Sequence, residues 1–258
     1  MNWFPQIGAG AMAQFPLHRK RQWRAITNVM ESGELISLPD ANGGQIEWRL
    51  SYRELTDVEV ANLTTLFALS GGEAGSFGFI DPFANLLGWS EDLSQPGWQM
   101  GLLTATGGLS DPVGTSRAWN LQNANGAEQM LSQSVGVPGA YRICFSVYVR
   151  SDSAGTVGML RDATRINVPV GPQWKRILIS GMGVSGATGS TFSLAVPAGS
   201  SVRVFGLQVE AQPWPSPYRP TGAAAGILEE TRFSGGELAV TNTAPELSAC
   251  QINLLSRI

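Results

Sequence analysis

The chain is short of the residues that chemistry most often needs. One histidine and two cysteines occur in 258 residues, and the cysteines, Cys144 and Cys250, stand far apart. No zinc site is expected, because a tetrahedral site takes several such ligands at close spacing. A Ser-His-Asp arrangement would have to use His18, which lies in the basic run His18–Arg24 with no supporting pattern around it. Charge is scarce as well: 14% of residues are charged, against roughly a quarter in an ordinary soluble domain. The net charge of −3 gives no general pull toward nucleic acid or anionic lipid, so neither is an expected partner. Apolar runs stay well short of the ~20 residues a membrane span needs. Met1–Pro16 lacks the basic start and apolar core of a secretory signal. Synthesis in a cytoplasm is the expectation.

What the chain has in plenty is glycine (31), proline (15) and tryptophan (8). Many tight turns, little charge and many large rings favour a mainly β protein. Low charge also suits a surface partly buried against other subunits.

Residues 1–83 form one unit of pattern. "QWRAITNVM" and "ELISL" flank a turn at Ser32-Gly33, and "PDANGG", Pro39 to Gly44, has the composition of a loop. In "QIEWRLSYREL", Ile46, Trp48, Leu50 and Tyr52 alternate with Glu47, Arg49, Ser51 and Arg53, the pattern of a strand with one buried face. Thr56 and Glu59 then have capping-box spacing. Val60, Leu63, Leu66 and Phe67 follow at helical spacing, and Gly71-Gly72 supplies the stop. "GSFGFIDP" reads as a strand that ends at Pro82.

From residue 84 the texture changes. "GWQMGLL", "SRAWNLQ", "EQMLSQSV", "YRICFSVYVR", "GTVGML", "TRINVPV", "WKRILISGMG", "STFSLAVP" and "SVRVFGLQVEA" are short β-like runs separated by turn residues. That spacing predicts a sandwich of about eight strands, suited to a jelly roll, over 84–221. "PTGAAAG" reads as a linker, and the strands of 222–258 are too few to form a core alone. They are expected to return to the first domain. The fold class is thus mainly β: an N-terminal β-barrel or sandwich domain with one helix, plus a jelly-roll sandwich.

Several motifs suggest chemistry and fall short. "GAGAMA", Gly8 to Ala13, matches G-x-G-x-x-A, but no strand precedes it and Pro16 stands where a helix should run. It reads as a flexible N-terminal arm, and no cofactor is expected. Paired carboxylates could hydrolyse glycans, with Glu91, Asp92, Asp111, Asp162 and Glu210 as candidates, but "SEDLS" is more simply a capped turn. The aromatic residues are the better lead, because sugars stack their C–H faces on such rings. Trp89, Trp98 and Trp119 are the candidate glycan contacts, with Trp89 and Trp98 flanking a loop. Core burial is the competing reading for each. Trp214, among prolines, reads as a domain-boundary plug.

Two stretches carry a resemblance. "QIEWRLSYRELTDVEVANLTTLFALSGGEAGSFGFIDPF" resembles the N-terminal domain of tail proteins from long-tailed phages and gene transfer agents, closing on Phe77, Phe79, Asp81 and Pro82. "NLLGWSEDLSQPGWQ" (Asn85–Gln99) and "VFGLQVEAQPWPSPYRPT" (Val204–Thr221) together resemble the two ends of jelly-roll carbohydrate-binding-like modules in phage tail and fibre proteins. The resemblance implies a distal tail or baseplate protein, a non-enzymatic structural component of the virion. Such a protein forms a ring with itself, often a hexamer, between the tail tube and the tail-tip hub. It implies a sandwich that can contact host surface glycan. A receptor-binding tail protein and a small glycan hydrolase are the alternatives. The segment after the sandwich departs from a simple appended module: either the sandwich is an insertion, or the tail is an arm.

Overall fold

The computed structural model describes residues 1–223 and 226–258; the middle of the expected linker, Ala224 and Ala225, lies outside the described residues. The chain divides into two units, Met1–Asp81 with Ile227–Ile258, and Pro82–Gly226.

The first unit is built on β1 (His18–Val29), β2 (Leu35–Thr56), α1 (Asp57–Leu69) and β3 (Phe77–Ile80). Chain then leaves for the second unit and returns as β13 (Ile227–Phe233), β14 (Val240–Ala244) and β15 (Leu247–Arg257). One six-stranded sheet runs β1-β2-β15-β13-β3, with β14 paired to β15. β3 and β13 pair antiparallel, Ile80 opposite Ile227, so the second unit is an insertion between two neighbouring strands of this sheet. The period-two run buries Ile46, Trp48, Leu50 and Tyr52, and β15 answers it with Leu254 opposite Trp48, Ile252 opposite Leu50 and Cys250 opposite Tyr52. Phe79 meets both Trp48 and Phe4 edge-on at ring separations of 5.2 and 5.4 Å.

Two expectations for this unit need correcting. Pro39–Gly44 is not a loop between strands. β2 runs through it, and Asp40–Gly43 bulges out between the Trp23–Gly44 and Ala25–Pro39 pairs. The cause lies on the opposite strand. Arg24 donates from Nε to Asp40 at 2.6 Å, and this contact holds the Asp40 carboxyl below its usual range. Nor is Gly8–Ala13 a flexible arm. Ile7 and Ala11 bridge around Gly10 (φ +80°), Met12 is buried, and the Gly8 amide donates to the Glu59 carboxylate.

The capping box forms as its spacing predicts. Thr56 caps α1, with the Glu59 amide donating to its hydroxyl at 3.4 Å and its own amide donating to Glu59 Oε2 at 2.8 Å. Replacing Thr56 with alanine is expected to lower stability by ~1 kcal/mol, read as a shift in the urea midpoint with unchanged slope. No shift would mean that packing of Leu63 and Leu66 alone holds the helix start.

The second unit holds β4 (Thr104–Leu109), β5 (Ala118–Gln122), β6 (Gln129–Val135), β7 (Arg142–Arg150), β8 (Gly155–Arg161), β9 (Thr164–Val170), β10 (Lys175–Met182), β11 (Ser190–Val196) and β12 (Ser201–Glu210). They form a five-stranded sheet, β10-β7-β12-β5-β4, and a four-stranded sheet, β6-β11-β8-β9. All pairings are antiparallel. This is a β-sandwich, with Phe145 of one sheet against Phe192 of the other at 5.9 Å. Residues 97–103 are not a strand as expected. Only Gln99 pairs, with Ser132, and the edge strand is Thr104–Leu109 instead. The chain there turns to pack Trp98 and Leu103, and this burial outweighs local β propensity.

Candidate functional site

The two ends of the sandwich are joined by a clasp built from the end motifs. Asn85 is buried and uses its whole amide. Nδ2 donates to Leu207 O (2.9 Å) and Arg219 O (3.1 Å), while Oδ1 accepts from Leu87 N (3.1 Å) and Val209 N (3.0 Å). Ser90 Oγ meets the Tyr218 hydroxyl at 2.9 Å and accepts from Thr221 N at 2.9 Å, and Thr221 Oγ1 donates to Leu87 O at 2.6 Å. Gln208 accepts from Arg219 N at 2.7 Å, and Glu210 from Ser216 N at 3.1 Å.

The clasp lies on the outer face of the five-stranded sheet. Along β7, Ile143, Phe145, Val147 and Val149 face the core, so Cys144, Ser146, Tyr148 and Arg150 face outward. Residues 215–219 cover the part of this face over Ser146 and Gln208, with Arg176 donating to Ser216 O at 2.6 Å and to Ser146 Oγ at 3.0 Å. Beyond the cover runs a ladder of rings and guanidiniums. Phe205 packs on Tyr148 at 6.0 Å and on Tyr218 at 5.1 Å, Arg176 lies over Tyr148 at 5.3 Å, and Arg117 over Phe205 at 5.2 Å. Tyr148 is half-buried. At the same end of the sandwich, Ser151–Val157 and Pro197–Val202 border a cleft of about 300 Å³, lined by hydroxyls and Asp152.

The three expected tryptophans come together, though not as a shared platform. Trp98 is only 7% exposed and donates its indole N–H to Trp89 O at 3.1 Å. Trp119 donates to Glu91 O at 2.9 Å and packs on Gly107, where an added Cβ would lie 3.0 Å from the indole. Both rings therefore brace the Trp89–Glu91 turn, and the expected exposure of Trp98 is corrected. Trp89 is 37% exposed, on a backbone at φ +51°. Trp214 is 70% exposed, so the reading of it as a plug fails; it stands between prolines, outside any strand or helix.

The candidate carboxylates have structural partners. Glu91 binds Arg117 at 2.6 Å, Asp92 caps its own turn through Ser94 N at 3.0 Å, and Asp162 accepts from Thr191 N at 2.7 Å. Asp111 closes the 111–117 loop, accepting from Val113 N, Thr115 N and Arg117 N at 2.9–3.2 Å and from the Thr115 hydroxyl. Burial would raise its pKa, but the Thr115 hydroxyl and these amides outweigh it and hold the carboxyl below its ordinary range. A depressed acid contributes stability above its unfolded pKa, about 3.9, and loses it as pH falls through the folded value. The stability gap between the native chain and Asp111→Asn is expected to be ~1–3 kcal/mol at neutral pH and to close below pH ~4. A gap independent of pH would show that the charge contributes nothing.

A second candidate surface lies in the first unit. β15 stops pairing with β2 at Gln45, so beyond that point β1 and β2 are a two-stranded hairpin. Trp23, Ile26, Val29, Leu35 and Leu38 on it are each more than half exposed. His18 is exposed on β1. In the basic run around it, Arg19 pairs with Asp81 at 2.8 Å and Lys20 with Glu47 at 3.8 Å.

No protein-family model matches the chain, and no curated protein matches it. Among solved structures it is similar to a xylan-binding domain from carbohydrate-binding family 22. The identity is 15% and the TM-score 0.43, over 53% of this chain and 100% of that one. It is also similar to the family 61 module TmCBM61, solved with β-1,4-galactotriose, at 14% identity and TM-score 0.37 over 48% of this chain and 97% of that one. A third is the enzymatically active domain of bacteriophage CBA120 tailspike protein 4, at 15% identity and TM-score 0.40 over 51% of this chain; the match spans 22% of that chain. The sandwich assignment rests on strand order and register.

Proposed function

We propose that this chain is a structural, non-enzymatic subunit of a phage tail tip. It assembles with copies of itself into a ring and carries a sandwich that contacts host glycan. The observation that carries the assembly is the bare hairpin. A two-stranded ribbon is marginal in water by itself. This one exposes apolar side chains on both of its faces, Ile26, Ile36 and Leu38 on one and Val29 with Leu35 on the other. A second copy of the chain is the occupant that suits it, since an open β1 edge can extend a sheet from subunit to subunit. The ring would lie between tail tube and tail-tip hub in the virion, after synthesis in the host cytoplasm. What supports the glycan contact is the half-buried Tyr148 beside hydrogen-bonding side chains on the outer sheet face.

Electron microscopy of the purified chain, with mass in solution, tests the assembly. A closed ring supports it and gives the subunit number. A monomer with measurable glycan affinity would overturn it in favour of a receptor-binding tail protein, a reading that the partial exposure of Trp89 and Tyr148 favours.

A further inference from the structure

Past the clasp, the outer face of the five-stranded sheet ends in a row set by register. Arg150 of β7 stands directly opposite Arg203 of β12, and Arg203 stands opposite Asn120 of β5. Like charges placed opposite one another on adjacent strands repel, and a fold ordinarily avoids the arrangement. Two guanidiniums offer ten N–H donors, yet this row uses few of them. Arg203 Nη2 donates to Asp152 at 3.1 Å, and the Asp152 side chain is 75% exposed. The Arg150 side chain makes no hydrogen bond or ion pair among the described residues, and its Nε is shut off from water with no partner. A half-buried guanidinium left this way is costly unless an anion meets it. Tyr148 is two residues from Arg150 on the same face, and Asn120 completes the row with its amide.

We propose that this row binds the carboxylate of an acidic saccharide. Arg150 and Arg203 grip the two carboxylate oxygens, Tyr148 borders the sugar ring, and Asn120 bonds a hydroxyl. Planar guanidiniums suit a carboxylate because their paired N–H groups match its oxygens. The inference rests on the reading of the sandwich as a glycan-contacting module and names the class of glycan. Asp152 competes for Arg203, so it sets affinity in the opposite direction from the arginines.

The test is titration of the full chain with oligogalacturonate, with neutral β-1,4-galacto-oligosaccharide and with sodium sulfate, followed by calorimetry and by Trp and Tyr fluorescence. Oligogalacturonate is expected to bind best, with affinity that falls as salt rises. Arg150→Gln and Arg203→Gln are each expected to weaken it about tenfold or more, and Asp152→Asn to strengthen it. Arg150→Gln relieves a repulsion and is expected to leave the fold intact. Equal binding of the neutral sugar, indifferent to Arg150→Gln, overturns the acidic class and leaves glycan contact standing. Sulfate that displaces oligogalacturonate at equal concentration makes the row a general anion site and overturns the saccharide. Binding of none of the three overturns both the row and the glycan contact, while the ring is judged separately by mass.

Discussion

Replacing Ile26 and Leu38 together with aspartate is expected to leave the chain folded and to break its assembly. The two residues are direct cross-strand partners near the middle of the bare hairpin, and both are more than half exposed in the single chain. A polar substitution at such positions costs a free chain little, within ~0.5 kcal/mol. In an assembly the same positions would be covered. Losing two buried aliphatic side chains forfeits ~1.5–3 kcal/mol each, before any cost of burying carboxylates. Subunit association is then expected to weaken by about a hundredfold or more. Sedimentation velocity reads the result as a shift from ring mass to monomer mass, with an unchanged thermal midpoint. Val184→Asp, a comparably exposed position on the sandwich, serves as the control and is expected to keep the ring. An unchanged mass for the hairpin variant would remove the hairpin from the interface.

The second large effect is expected at Asn85. Its side chain accepts from two buried amides and ties two carbonyls from the far end of the module. Asn85→Ala strands these groups at a site that is buried in the native chain. Each buried orphan costs ~1–3 kcal/mol, so the two amides alone are expected to cost about 2–6 kcal/mol. Asn85→Asp keeps the shape and replaces the two donated bonds with a carboxylate facing the carbonyls of Leu207 and Arg219. It is expected to cost at least as much. Urea unfolding gives the size of the loss, and amide exchange at Leu87 and Val209 gives its place. A loss under ~1 kcal/mol would mean that the strands alone hold the ends together.

Asn85 also explains why the two end motifs are distinctive only as a pair. The amide reaches partners 122 and 134 residues away, and Ser90 reaches Thr221 across 131. Each motif is half of one hydrogen-bonding unit. Its side chains are spent on closing the sandwich, so the resemblance reports a fold device rather than a ligand contact. The tryptophans teach the same point from the other side. Their loop positions suggested exposure, but Trp98 and Trp119 had carbonyls within reach at Trp89 and Glu91. A buried indole takes such a partner when the fold supplies one.

What the sequence alone determined is what nearest neighbours decide. Alternation over Ile46–Arg53 set a strand and its buried face, and Thr56 with Glu59 set the helix start. The turn-separated runs from Ser116 onward set most strands of a sandwich. These follow from backbone geometry over a few residues. Tertiary structure decided everything that depends on which strand lies beside which. Alternation placed Tyr148 and Arg150 on one face, and only the pairing of β7 with β12 put Arg203 opposite Arg150. The bulge at Asp40–Gly43 answers to Arg24 on the neighbouring strand, and the insertion of the sandwich answers to the pairing of Ile80 with Ile227. Period two tells which way a side chain faces. It carries no information on what it will meet, because register is a long-range choice made by packing and turns.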